Sequence, residues 1–155
     1  MKKSFHNPKQ LFEPRVFSHA VGVSGARMVF VSGQVSYDRD GIVIGQGDIR
    51  EQSEQVFRAL DHCLRAAGAG WSDVVKMNAY MVGMDSEAVN VFREVRARHL
   101  VPGHLPAATL VGVERLVHED LLLEVELVAA VAEKKAAKRA KAPERAAGAK
   151  KKAKT

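Results

Sequence analysis

The 155-residue chain predicts an α+β fold, a two-layer mixed β-sheet with two helices packed on one face. Two observations carry this. Short stretches rich in β-branched residues alternate with two segments whose apolar residues recur at helical spacing. Read along the chain, the order is β-β-α-β-α-β-β, with one further short strand near Gly41–Ile44.

Each element has a local reason. "HAVGV" (19–23) and "RMVFVSGQV" (27–35) are strand patterns joined at Ser24-Gly25-Ala26, a hairpin signal. "YDRDG" is a polar turn. Asp48 opens the first helix, with Glu51 three residues on in a capping-box-like pair. Val56, Leu60, Cys63, Leu64 and Ala67 follow at helical spacing, and Gly68 and Gly70 end the run. "DVVKMNAYMV" (73–82) is a strand with Val74 and Tyr80 on one face and Val75, Met77 and Met81 on the other. Asp85 or Ser86 caps the second helix, whose buried stripe is Ala88, Phe92, Val95 and His99. "HLPAATLVGV" (104–113) is a strand entered through Pro106, a residue that suits a strand's start but not its middle. "ERLVHED" is a loop and "LLLEVELVAAV" (121–131) the last strand.

Two helices leave one sheet face uncovered. Residues of the type of Val75, Met77, Val125 and Leu127 on that face would form an apolar patch, so an oligomer is expected.

Composition narrows the function classes. Hydrophobic content of 46% and charged content of 27% are globular values. Cys63 is the one cysteine, which excludes an intrachain disulfide and fits a reducing compartment. The N-terminus has two lysines but no apolar run behind them, and no stretch approaches the ~20 residues of a membrane span. A cytoplasmic protein with no membrane partner is the expectation. The net charge is +6, yet residues 132–155 hold eight Lys and two Arg against two Glu, or +8. Residues 1–131 therefore carry −2. Ala is the dominant apolar residue of the tail, so residues 132–155 are expected to be a disordered basic tail after a domain spanning 1–131.

Strong catalytic motifs are absent: no Walker A loop, no GxGxxG, no HExxH, no CxxC. The six histidines show no metal spacing on one element, so neither metal nor cofactor is expected. Cys63, on the apolar stripe, reads as a buried small hydrophobe rather than a nucleophile. Glu124 and Glu126 point to one face of the most apolar strand. Glu126 reads as part of a solvated face. Glu124 reads equally as that or as a desolvated general acid. In "VSGQV", Gly33 inside a strand marks a bulge or the close approach of a ligand to backbone at Ser32-Gly33.

In this order, "FSHAV" (17–21), "MVFVSGQVS" (28–36), "GDIREQSEQVFRALDHCLRAAG" (47–68), "DVVKMNAYMV", "AVNVFREV" (88–95), "PAATLVGV" (106–113) and "LEVELVAAV" (123–131) resemble the Rid family. These are the reactive intermediate deaminases, also called the YjgF or endoribonuclease L-PSP family. The resemblance covers about residues 14–131. It implies a chorismate-mutase-like fold and a homotrimer with a central barrel, with ligand clefts between subunits. Deaminating members hydrolyse enamines and imines to 2-keto acids and ammonia without metal or cofactor. Their Pro-Ala-Arg-Ser motif aligns with Pro106-Ala107-Ala108-Thr109, so the carboxylate-holding arginine is Ala108 here. The family tyrosine is Phe17; Gly33, Asn90 and Glu124 match family site positions.

The resemblance thus implies Glu124 and Thr109 as catalytic residues, with Phe17, Ser32, Gly33, Asn90, Ala108 and Leu110 lining a more apolar pocket. It disfavours 2-iminobutanoate and 2-iminopropanoate as substrates. A non-catalytic ligand-binding or chaperone-like trimer is an alternative. Another is weak nonspecific nucleic-acid association through residues 132–155, whose ten basic side chains lack interleaved aromatics. The ribonuclease label implies RNA cleavage, but no His pair or metal cluster supports it.

Overall fold

The computed structural model describes residues 1–133. The strands are β1 (Lys2–His6), β2 (Ala20–Ser24), β3 (Ala26–Gln34), β4 (Val74–Val82), β5 (Ala107–Val113) and β6 (Leu123–Ala132). The helices are α1 (Ile49–Ala66) and α2 (Ser86–Ala97), with a 3-10 turn at Trp71–Asp73. The final strand runs one residue past the expected boundary at 131. Residues 134–155, on which the tail expectation falls, lie outside the described residues.

Local chemistry sets the helix ends. Asp48 has extended backbone, and its carboxylate accepts from the N–H groups of Arg50 (2.8 Å) and Glu51 (3.0 Å). The Asp48 N–H donates to the Gly45 carbonyl (3.0 Å), so the first-turn donors are satisfied through this cap. At the other end Gly68 adopts φ 67°. Gly68 N–H donates to Arg65 and Ala69 N–H to Leu64, the paired bonds of a Schellman end that needs left-handed backbone at this glycine. Asp85 caps α2, accepting from Ala88 N–H at 2.8 Å.

The main sheet has the order β3-β6-β4-β5. β6 is antiparallel to both neighbours, while β4 and β5 are parallel and joined through α2. α1 packs on β3 and β6 and beside α2. The core lies between helices and sheet. Phe57, Leu60 and Leu64 of α1 and Phe92 and Val95 of α2 meet Met77, Ala79, Met81, Leu123, Val125 and Leu127, all buried. His99 lies beyond α2, stacks on Phe57 (4.9 Å) and packs at a tilt to Trp71 (4.8 Å); its burial depresses the imidazole pKa. Cys63 packs at the margin of this core, half-buried. Gln52, fully buried, donates to the carbonyls of Gly45 and Asp120 and accepts from Leu122 N–H. It thereby ties the start of α1 to the loop that delivers β6.

Four expectations need correction. β2 and β3 flank a turn at Gly25 (φ 61°) but do not pair with each other. β2 pairs instead with β1, residue for residue from Lys2–Ser24 to His6–Ala20. Alternation predicts a strand but does not choose its partner, and β3 is claimed by β6. The short strand near Gly41–Ile44 is reduced to a single bridge, Tyr37 to Val43. A register shift between Val74 and Lys76 breaks the alternation of β4, so Val74 joins the core with Met77 instead of sharing a face with Tyr80. Finally, Met77, Val125 and Leu127 face the helices rather than the open face, and buried Val75 sits in the irregular stretch at the start of β4. The open face carries Phe30 (77% exposed), Met28 and Val111 beside a polar group described next.

Candidate active site

The open face is organised by β4, β6 and β5. Alternation brings Lys76, Asn78 and Tyr80 to this side, and register places Asn78 beside Thr109 and Glu126, and Tyr80 beside Val111 and Glu124. Glu126 accepts from Asn78 Nδ2 (2.7 Å) and from the Tyr80 hydroxyl (3.1 Å). That hydrogen bond, with desolvation and the Glu126 charge, raises the Tyr80 pKa above the usual phenol value. Lys76 Nζ donates to Thr109 Oγ1 at 2.8 Å. Glu126 is therefore a held carboxylate in a polar cluster rather than a plain solvated side chain.

Glu124 differs. Among the described residues it has no hydrogen-bond or ion-pair partner, and it is half-buried. Its place is made by β3. Val31 pairs with Leu127 and Gln34 with Val125, so Ser32 and Gly33 together oppose one residue of β6. This is a bulge. A Cβ at residue 33 would overlap Glu124 Oε1 and come within 2.7 Å of its carboxyl carbon. Gly33 thus gives its missing side chain's space to the Glu124 carboxylate, not to a ligand. Tyr80, Glu124 and Glu126 line an open cleft of about 430 Å³ together with Arg115 and Val117.

The other expected site residues lie elsewhere. Ala108 and Leu110 alternate with Thr109 and share the side of Met77 and Ala79, so they face the helix layer at the edge strand. Leu110 packs against the core margin and Ala108 is half-buried. Phe17 runs beside the same edge: Ser18 N–H donates to Pro106 O (2.9 Å) and Ser18 Oγ to Leu105 O (2.8 Å). Phe17 packs edge-on to Phe12 and His19. Asn90 is exposed on α2, in a hollow of about 560 Å³ with Asp85 and Arg93.

The expected residues therefore fall into two separate groups. Ser32, Gly33, Thr109 and Glu124 belong to the open face, whereas Phe17, Asn90, Ala108 and Leu110 belong to the β5 edge and helix side. One chain does not bring Ala108 and Glu124 into a common space. Sequence reasoning missed Lys76, Asn78 and Tyr80, although their alternation in "KMNAY" carries three polar residues on one face of an otherwise apolar strand. Among the described residues no cluster of three or more His, Cys, Asp or Glu side chains is arranged to hold a metal.

Comparison with known proteins places this geometry. The chain is 33% identical over 117 residues to the mitochondrial protein MMF1 of Saccharomyces cerevisiae, covering 75% of this chain and 78% of that protein. It is 30% identical over 117 residues to a 2-iminobutanoate/2-iminopropanoate deaminase of Dermatophagoides farinae, covering 74% and 85%. A Rid-family structure of unknown function from Yersinia pestis superposes with a TM-score of 0.72 at 28% identity, covering 84% of this chain and 100% of the other. The crystal structure of yeast Mmf1 gives 0.59 at 30% identity, covering 84% and 99%. The family model for Endoribonuclease L-PSP matches residues 12–131, and the chain belongs to that family, the Rid/YjgF proteins.

Proposed function

We propose that the chain is a cofactor-free hydrolase of enamines or imines that acts in clefts between the subunits of a homotrimer. One observation carries the reading: the Glu124 carboxylate is seated in the notch at Gly33 and is free of protein partners, beside a second carboxylate that is fully engaged. A carboxylate fixed in place but left unpaired is available to move a proton. The separation of these two groups supports the trimer, because a second copy docked on the open face is the direct way to bring a β5 edge to Glu124. Phe30, Met28 and Val111 supply apolar surface for that contact.

In the proposed reaction an enamine first tautomerises to its imine. Glu124 takes a proton from water as the water oxygen bonds to the C=N carbon, and returns it to the nitrogen to give the carbinolamine. The carbinolamine then collapses: Glu124 relays the hydroxyl proton to the nitrogen, the C–N bond breaks, ammonia leaves and the C=O forms. Thr109, oriented by Lys76, and the Ser32-Gly33 backbone border the reacting atoms, while Phe17, Ala108, Leu110 and Asn90 shape the apolar side. The deaminase from Dermatophagoides farinae adds support by likeness alone.

The test is ammonia release from freshly generated imines and enamines. Glu124→Gln should lower kcat by roughly 10²- to 10⁴-fold, the usual worth of general acid–base catalysis. Gly33→Ala should do nearly the same, because the new methyl occupies the notch and displaces the Glu124 side chain from Cγ outward. A Glu124→Gln variant with full turnover would remove Glu124 from the mechanism. Absence of turnover across the whole panel would remove the activity.

A further inference from the structure

One flank of α1 and the end of β3 with the loop that follows it border a hollow of about 620 Å³, a volume typical of small-molecule sites. Gln55, Arg58, Ala59 and His62 recur at helical spacing, so a single flank of α1 forms one wall. Ala59 and the half-buried Cys63 line it with small side chains, which leaves the space open. The hollow shares Gly33 with the notch of Glu124. Glu124, Thr109, Phe17, Asn90 and Ala108 do not line it, so it is a separate place on the molecule.

Its hydrogen-bonding character is one-sided, because acceptors around it are already engaged. Gln34 Nε2 folds back onto the carbonyls of Ser32 (3.1 Å) and Gly33 (3.3 Å). The Val35 carbonyl accepts from Tyr37 N–H (2.9 Å), and the Tyr37 carbonyl from Gln55 Nε2 (2.7 Å). Gln55 Oε1 in turn accepts from Arg58 Nε (3.0 Å). Asp38 is the one acid of the lining, and its Oδ1 accepts from the N–H groups of Asp40 and Ile42, both at 2.8 Å. The donors are in the opposite state. Among the described residues Arg39, Arg58 and His62 form no ion pair. Gln55 fixes Arg58 through Nε alone and leaves the terminal nitrogens of its guanidinium for a ligand.

We infer that this hollow binds the phosphate group of a small phosphate monoester, with Arg39 and Arg58 as its anion-binding arms and His62 beside them. A single exposed guanidinium holds an anion weakly in water. Two guanidinium groups and an imidazole around one hollow supply several donors, and a phosphate dianion has the charge and the acceptor oxygens to take them. Arg58 is held by Gln55 before a ligand arrives, so it loses less freedom on binding. Tyr37, Ala59 and Cys63 offer apolar surface to the body of the ester. The inference does not rest on the proposed reaction.

The experiment is isothermal titration calorimetry of the full chain at low ionic strength with phenyl phosphate, benzoate and the diester methyl phenyl phosphate. At about pH 8, above the second phosphate pKa of about 6, the monoester is a dianion and should bind saturably. Benzoate and the diester should bind roughly tenfold more weakly or worse. Arg58→Gln and Arg39→Gln, both at exposed positions, should each weaken the monoester by roughly tenfold. Ala59→Leu, which fills the hollow without changing its charge, should do the same. Glu124→Gln should bind the monoester as the parent does. No saturable heat with phenyl phosphate, or benzoate bound as tightly, would overturn the proposal. A diester bound as tightly would overturn it in favour of a nucleic-acid backbone. Full binding by all three hollow variants would place the phosphate elsewhere. A change of subunit mass in ligand-free Arg58→Gln or Arg39→Gln, read by light scattering, would also overturn it, because these arginines would then serve a partner subunit. Failure of deamination with monoester binding retained would sink the proposed reaction and leave this site standing.

Discussion

The two faces of the four-stranded sheet are built from the same strands and do opposite work. On the helix side, Met77, Met81, Leu123, Val125 and Leu127 are buried against Phe57 and Phe92. On the open side, their immediate neighbours Asn78, Tyr80 and Glu126 form a hydrogen-bonded polar group, with the unpaired Glu124 beside it, within a rim of exposed Phe30, Met28 and Val111. A period of two separates stability from chemistry: one residue along the strand moves from the core to the candidate site. The open face is neither a solvated surface nor a bare apolar patch. It mixes an apolar rim with fixed polar groups, the character of a shared cleft.

The comparison breaks first at Phe57. Phe57→Ala should cost about 3–5 kcal/mol, read from denaturant unfolding, because the ring is fully buried between α2 and the 3-10 turn and stacks on Trp71 and His99. A cost below about 1 kcal/mol would mean that the helix-side face is not the core. Phe30→Asp, on the opposite face, should leave the far-UV circular dichroism of the chain intact while removing assembly. Light scattering should find monomer where the proposed trimer is expected of the parent, and an unchanged oligomer would place the interface elsewhere.

Tyr80→Phe should have the smallest effect, since it removes one hydrogen bond to Glu126 at a site open to water. Its signature is in pH. The folded-state pKa of Tyr80 is raised, so its stabilising contribution is fully present below the unfolded phenol value of about 10 and is lost as pH rises through the folded value. Alkaline titration of stability should therefore lower the wild type more than Tyr80→Phe, and parallel curves would show that the bond contributes nothing.

Some of this was legible in the chain. The caps at Asp48 and Asp85, the stop at Gly68, the entry of β5 after Pro106 and the stripe Ala88, Phe92, Val95 follow from local rules. So does the kink at Gly33. Glu124 stood out as a carboxylate in an apolar strand, and the resemblance selected it.

The sequence by itself determined the number, kind and order of most elements, because helix caps, turns and periodicity are short-range interactions written in adjacent residues. Only the tertiary structure decided which strand pairs with which and which side of the sheet the helices cover. It moved β2 from β3 to β1, put Met77 and Val125 in the core, and separated Ala108 from Glu124 by the thickness of the sheet. It also filled the space above Gly33 with a carboxylate. These are relations between residues tens of positions apart. They are fixed by competition among alternative pairings and packings, and a local pattern carries no record of that competition.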